Sequence, residues 1–251
     1  MTKTDYFKPH IPRVFAHRGF SYLVSGVDEN TIESFRAALD QGASHIETDT
    51  QATLDGIAVL FHDTNLLRLM SVDAKVSELT FAELSSYSLP NKGKVPSLDQ
   101  VLRELPGVML NIDVKSAGAV SPTVRAIEEN SAHDRVLVSS FSNTRRKRAL
   151  ALLSRPVATS GSMADVLRIW VAHKFLGGFG LKALTRGLNA LQLPCNYGPI
   201  LFAQPKFIAA MAAIDIEVHF WTINELEQMR ELLSMGVSGI VTDRCDLAAK
   251  L

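Results

Sequence analysis

Short apolar runs alternate along this chain with segments of helical periodicity, and the alternation persists from residue 13 to residue 242. Runs at 13–16, 108–114, 136–140, 156–160, 189–193, 217–223 and 239–242 are rich in β-prone apolar residues and bounded by turn residues, which predicts strands. Between them, apolar positions recur at three- and four-residue spacing. That periodicity predicts helices over 32–41, 77–85, 97–105, 122–130, 143–153, 162–175, 204–213 and 224–235. The punctuation agrees: Thr31, with Asn30 as a rival, stands at the N-cap of the first helix, and Gly42 and Gly236 stand just past helix ends.

The stretch 44–63, SHIETDTQATLDGIAVLFHD, breaks the alternation. Ile46 to Asp49 alternates apolar and polar, Asp55-Gly56 is a strong hairpin signal, and 57–61 is again β-prone. With Asp55 and Gly56 as the two central residues of a type I′ turn, Leu54 pairs with Ile57, Gln51 with Leu60 and Asp49 with His62. Alternate residues share a face and opposed ones touch, so Glu47, Asp49 and His62 are expected to converge on one patch. Two carboxylates and an imidazole there point to a metal site with an acid/base beside it. A polar outer face on a surface hairpin is the plainer alternative, weakened because both arms are otherwise apolar.

Repeated strand–helix units without a long linker predict a single α/β domain over 1–251 with a largely parallel sheet, of the size of a TIM (β/α)8 barrel. The strand count reaches nine, and the hairpin supplies the extra antiparallel arm. The pattern alone does not say which arm joins the barrel wall.

Composition changes this picture little: 47% hydrophobic and 21% charged residues are ordinary for a globular domain. Lys+Arg and Asp+Glu balance at 26 each, which leaves no overall basic footprint for nucleic acid or an anionic membrane. Cys195 and Cys245 lack metal-type spacing and read as reduced thiols. MTKTDYFKPHIPRVF has no apolar core of a secretory signal, and the tract around 166–184 is interrupted by Arg168, His173, Lys174 and glycines. A soluble cytoplasmic protein without a transmembrane segment is expected. The basic run 145–148 reads as a solvated helix face.

Further candidate chemistry sits where strands end. His17-Arg18-Gly19 follows the first strand, and NIDVK places Asn111, Asp113 and Lys115 on alternate positions of another. Taken in order, His17-Arg18-Gly19, Glu29-Asn30-Thr31 with Phe35 and Ala38, GASHIETDTQATLDGIAVLFHD, NIDVK, Ser140-Phe141, FWTIN and GVSGIVTD resemble the glycerophosphodiester phosphodiesterase family. The resemblance spans nearly the whole chain, densely at 14–63 and 217–243 and thinly over about 160–215.

That resemblance implies a TIM barrel hydrolysing a small-molecule glycerophosphodiester to glycerol 3-phosphate and an alcohol. It implies a divalent metal, Mg2+ or Ca2+, held by Glu47, Asp49 and Asp113, with His17 and His62 acting on the phosphodiester. Arg18 and Lys115 are expected on the phosphate, and Trp221 as a wall of the pocket. Elementary chemistry suits these roles: a hard cation on oxygen ligands offsets developing charge, Arg offers a bidentate fork, and a pair of imidazoles can take and give protons. The attacking group is water or the glycerol hydroxyl next to the phosphate.

Three features depart from the family pattern. Asp113 stands where Glu is usual, Asp28 replaces a Pro before Glu-Asn-Thr, and Arg68-Leu69-Met70 follows His-Asp in place of Arg-Thr-Thr. Asp-x-Lys also resembles sphingomyelinase D enzymes, so a lipid-directed phospholipase D is the alternative. Its acyl chain would need a groove, for which Trp170 to Leu184 is the candidate; that tract also fits a mobile flap over the site, and a barrel helix with a glycine-rich exit is the favoured reading. Asp113–Lys115 also fits an ordinary salt-bridged pair, Trp221 a core aromatic, and Glu29 an orienting partner of the His17 loop. His10, His45, His133, His173 and His219 have no supporting neighbours and read as structural or surface residues.

Overall fold

In the computed structural model, which describes residues 4–8, 11–23 and 26–251, nine strands form one sheet. They are β1 Arg13–His17, β2 His45–Ala52, β3 Ala58–Leu60, β4 Leu110–Val114, β5 Val136–Ser139, β6 Ala158–Gly161 and β7 Ala190–Leu193, after which a separate hairpin outside this sheet pairs β8 Asn196–Tyr197 with β9 Ile200–Leu201. The last two of the nine are β10 Glu217–Phe220 and β11 Gly239–Thr242. Eight of them, β1, β2, β4, β5, β6, β7, β10 and β11, pair in parallel, and the β1–β2 pairing closes the barrel. The TIM barrel expected from the alternation is therefore present. His10 lies outside the described residues.

The helices are α1 Ile32–Asp40, α2 Leu67–Met70, α3 Phe81–Ser86, α4 Leu98–Glu104, α5 Val120–Glu129, α6 Asn143–Leu152, α7 Met163–Phe175, α8 Leu181–Leu184, α9 Pro205–Ala212, α10 Leu226–Ser234 and α11 Cys245–Ala248. Thr31, not Asn30, caps α1: its side chain accepts from Ser34 N–H while Ser34 reaches back to the Thr31 N–H. Ile32, Phe35 and Ala38 then bury one stripe against the barrel.

The first hairpin arm joins the wall. The start of β2 pairs with β1, its length with β4, and its end with the antiparallel arm β3. The register differs by one residue from expectation: Ala52 faces Ala58, Gln51 faces Val59 and Thr50 faces Leu60. The turn holds three residues, because Thr53 N–H donates to Ile57 O and Gly56 sits at φ +77°. Asp55 is drawn away from a two-residue turn by tertiary contacts, its carboxylate accepting from Thr53 Oγ1 at 2.6 Å and from the α3 N–H of Phe81 at 3.0 Å. Asp49 consequently faces Phe61, whose N–H donates to Asp49 O. His62 lies beyond the end of β3, where strand alternation no longer dictates its direction.

Inside the barrel, Phe15, Leu137, Ala158, Ala190 and Val241 form a cluster closed from the strand N-terminal end by Tyr6 and Phe7. Arg13 and Glu217 pair there at 2.8 Å, and His45 and His219 flank the Phe15 ring. The larger core lies between the wall and the helices. The basic run on α6 is only partly a solvated face: Arg146 is buried on Asp165, and Arg145 donates to Ser140 Oγ. Among the described residues no helix is long and apolar enough to cross a membrane.

Candidate active site

The site is built in layers by sheet register at the C-terminal end of the strands. Parallel pairing sets His17 beside Glu47 and Glu47 beside Asn111, and one layer up sets Asp49 beside Asp113 and Asp113 beside Ser139. Alternation turns residues 47 and 49, and 111 and 113, to the same side. These residues line a cavity of about 250 Å³ together with Arg18, His62, Lys115, Trp221 and the β5–β7 side chains Ser139, Ser140, Ser160 and Gln192. Every residue expected in the site from the sequence reaches it: His17, His62, Arg18, Lys115, Trp221, Glu47, Asp49 and Asp113. The tract 170–184 supplies none of its lining.

Each histidine is oriented through Nδ1. His17 Nδ1 lies 2.7 Å from Asp243 Oδ1, and its Nε2 points inward, 3.9 Å from Glu47 Oε2. Burial disfavours the imidazolium, but the Asp243 hydrogen bond and the Glu47 charge outweigh it, so the His17 pKa is raised. His62 Nδ1 lies 2.7 Å from Asp63 Oδ1, and Asp63 in turn accepts from Arg68 Nε at 2.6 Å. Arg68 also grips Glu29, whose other partner is Arg18. Glu29 and Arg68 thus brace the walls that carry both histidines. Asp28, the departure from Pro, anchors another loop by accepting from the N–H groups of Asn91 and Gly93.

The loop after β1 is tightly specified. Arg18 and Gly19 are both left-handed, at φ +56° and +84°. Ser34 of α1 donates to Arg18 O and sits so close that a Cβ on Gly19 would lie 2.7 Å from Ser34 Cβ. Arg18 Nη1 donates to Glu29 at 3.1 Å, while its Nε faces Asp49 at 3.3 Å as an ion pair without a hydrogen bond.

Electrostatics divide the three acids. Lys115 Nζ bridges Asp49 Oδ1 and Asp113 Oδ2, each at 2.8 Å. Asp49 is 1% exposed. Burial favours its neutral form, but Lys115 and Arg18 outweigh burial and hold its pKa low. Asp113 goes the other way, burial prevailing over Lys115. Burial, and then the Asp49 charge, push Glu47 up to about 7.

The donors suit a hard cation in part. Glu47 Oε2, Asp113 Oδ1 and Asn111 Oδ1 are buried acceptors without a hydrogen-bond partner, all in this cavity. Orphaned buried oxygens are costly unless a cation or donor meets them. Asp49, by contrast, spends its oxygens on Lys115 and Asn30. Among the described residues, no three His, Cys, Asp or Glu side chains are already arranged as a metal cluster. Glu47, Asp113 and the amide of Asn111 thus carry the buried oxygens that a cation could use.

The sequence profile of the glycerophosphoryl diester phosphodiesterase family matches residues 17–247. The chain belongs to this family. Among its relatives, the probable glycerophosphodiester phosphodiesterase 2 of Mycobacterium tuberculosis is 37% identical, the alignment covering 97% of this chain and 92% of that protein. A glycerophosphodiester phosphodiesterase of Bacillus altitudinis is 29% identical over 95% of this chain and 97% of the relative. The fold matches that of a glycerophosphodiester phosphodiesterase from Agrobacterium tumefaciens with a TM-score of 0.78 at 21% identity, over 95% and 97% of the two chains. It likewise matches an Oleispira antarctica phosphodiesterase, solved with the product sn-glycerol-3-phosphate, with a TM-score of 0.76 at 22% identity, over 95% and 96%.

In this phosphodiesterase, sequence reasoning missed the orienting residues. Asp243 directly follows β11, the position at which a barrel strand presents chemistry, and that rule alone could have found it. Asn111 had the same alternation as Asp113. Asp63 is next to His62 in sequence but carried no signal as its partner, and Asn224, which donates Nδ2–H to Asp243 Oδ2 at 2.8 Å, gains its role only where two loops meet. The histidines His45, His133 and His219 are buried on structural partners, and His173 packs on Phe207; none lines the cavity.

Proposed function

We propose that the protein hydrolyses glycerophosphodiesters to glycerol 3-phosphate and an alcohol, with His17 as general acid, His62 as general base and a divalent cation, Mg2+ or Ca2+, in the acidic half of the cavity. The observation that carries this reading is the pair of carboxylate-oriented imidazoles, His17–Asp243 and His62–Asp63, lining one cavity with Arg18 and Lys115. Arg18 and Lys115 supply positive charge for the phosphodiester anion. Asp243 accepts the Nδ1 proton of His17 and favours its charged form, which leaves Nε2–H to be given to the oxygen of the departing alcohol. His62, with Nδ1–H held by Asp63, presents Nε2 to take the proton of the attacking hydroxyl, whether of water or of the neighbouring glycerol. The new P–O bond forms as the P–O bond to the alcohol breaks, and the two histidines exchange protonation states. Where the glycerol hydroxyl attacks, water then opens the cyclic phosphate with the histidines in reversed roles, and glycerol 3-phosphate results. Glu47, Asp113 and Asn111 would hold the cation, with Asp49 keeping Lys115 in place; when bound, the cation supplies Lewis-acid stabilisation of charge on the phosphoryl oxygens.

The cavity is small, and its far side carries neutral hydroxyl and amide groups from Ser139, Ser160 and Gln192, which suits a water-soluble diester. The test is release of glycerol 3-phosphate from glycerophosphocholine in EDTA, Mg2+ or Ca2+, for wild type and His17→Ala. Metal-stimulated release that the substitution abolishes is expected. Release unaffected by His17→Ala would refute the catalytic assignment, and turnover confined to lysophosphatidylcholine would transfer the enzyme to lipid substrates.

A further inference from the structure

The charge balance of the whole chain hides a one-sided stretch. Between Asp165 and Asp215 the sequence has no acidic residue, yet it carries Arg168, Lys174, Lys182, Arg186 and Lys206. All five are exposed, and none forms a side-chain ion pair among the described residues. The same stretch concentrates exposed apolar side chains: Phe179 is 82% exposed, Phe175 69% and Leu176 57%, with Val171 and Leu184 beside them. On α7, Arg168, Val171 and Phe175 follow a spacing of three and four residues and so share one outward face. α8 packs against α7 and adds Lys182 and Leu184. The turn between the two helices is ordered, Gly178 N–H donating to Ala172 O and Phe179 N–H to Leu176 O. Phe179 is therefore held outward by backbone structure.

We propose that this face docks on an anionic phospholipid surface. Phe175, Leu176 and Phe179 have the size and exposure to enter the boundary between headgroups and acyl chains, while Lys174, Lys182 and Arg186, from the end of α7 and from α8 and its exit, lie at the level of anionic headgroups. A second copy of the chain is a poor occupant, because a two-fold contact would oppose unpaired like charges. A nucleic acid would use the cations but leaves the aliphatic Val171, Leu176 and Leu184 without a role. Topology keeps the reaction clear of the bilayer. Met163, at the start of α7, lines the catalytic cavity, and the helix rises about 18 Å from there to Phe175. The chain docks by the opposite end of the barrel, and the cavity mouth stays open to water.

Co-sedimentation of the full chain with vesicles tests this, using phosphatidylcholine alone and phosphatidylcholine mixed with phosphatidylglycerol, at low and high salt. Binding is expected only to the mixed vesicles and is weakened by salt. It falls about tenfold or more for the double variant Phe175→Ser/Phe179→Ser and about fivefold for each of Lys182→Glu and Arg186→Glu. None of these residues touches the cavity, so turnover of soluble substrate stays at the wild-type value and certifies the fold, while the double variant melts slightly lower through loss of the Phe175 edge contact with Trp170. No binding to the mixed vesicles, equal binding to neutral ones, or undiminished binding by the double variant overturns the proposal. A solution dimer that the double variant abolishes overturns it in favour of a second copy, and retention on an oligonucleotide without vesicle binding overturns it in favour of nucleic acid.

Discussion

Asp243→Asn isolates the orientation of His17 from every other feature of the site. Asn224 fixes what the new amide must do. Its Oδ1 already accepts from the Asp243 N–H at 2.9 Å and from Thr242 Oγ1 at 3.0 Å, so its Nδ2 is committed to donating to Asp243 Oδ2 at 2.8 Å. An asparagine at 243 must therefore turn its own oxygen to Asn224 and its NH2 to His17 Nδ1. Nδ1 then has to accept, which pins the imidazole neutral and removes the proton arrangement needed of a general acid. The lost hydrogen bond is charge-assisted, but the two side chains are 22% and 30% exposed, so the lower end of its range, about 1.5 kcal/mol, is appropriate. That corresponds to a downward shift of roughly one unit in the His17 pKa.

A general acid is active below its pKa and fails as pH rises through it. The wild-type pKa is raised, so lowering it moves the alkaline limb of the kcat profile about one unit toward acid. The maximal rate falls by roughly a hundredfold or more, as expected for loss of a positioned proton donor. Steady-state release of glycerol 3-phosphate across pH 5 to 9 reads both effects, with His17→Ala marking the floor. Asp243→Ala, which leaves Nδ1 to water, should be less damaging than Asp243→Asn. Asp243→Asn at close to wild-type rate with an unmoved alkaline limb would refute the orientation argument.

Two further predictions concern stability. Burial holds the His45 pKa down at about 3, with its Nε2 against Tyr6 O at 2.9 Å. The unfolded chain thus binds a proton below about pH 6.5 that the folded chain refuses, and stability is lost as pH falls from about 6.5 towards 3, at about 1.4 kcal/mol per unit. His45→Gln should flatten the fall in urea midpoint between pH 7 and 5, and parallel slopes for the two proteins would exclude His45 as its source. Gly19→Ala meets both a left-handed backbone and Ser34, and should cost about 2–4 kcal/mol in denaturant unfolding; an unchanged midpoint would mean that the loop after β1 relaxes freely.

What could be read from the chain alone was whatever depends on short-range pattern. Eight barrel strands, their helices and the extra arm follow from hydrophobic period and punctuation, because burial against a common core imposes those periods locally. The catalytic candidates were legible too, since alternation along 46–49 and 111–115 and the ends of strands limit where polar groups can face. The hairpin was misread by one residue because its turn is decided by α3, whose Phe81 N–H recruits Asp55 from 26 positions away. The polar neighbours of Asp49, expected as a ligand beside Glu47 and Asp113, were not legible, because only the packed barrel brings Lys115 and Asn30 onto its oxygens and leaves Asn111 unpaired. The pairing of His17 with Asp243 spans 226 positions. Composition, similarly, averages charge over the whole chain, whereas exposure of Phe179 and the cations around it is a property of the folded surface. Local periodicity decided which elements this protein has, and barrel closure decided which of their ends meet.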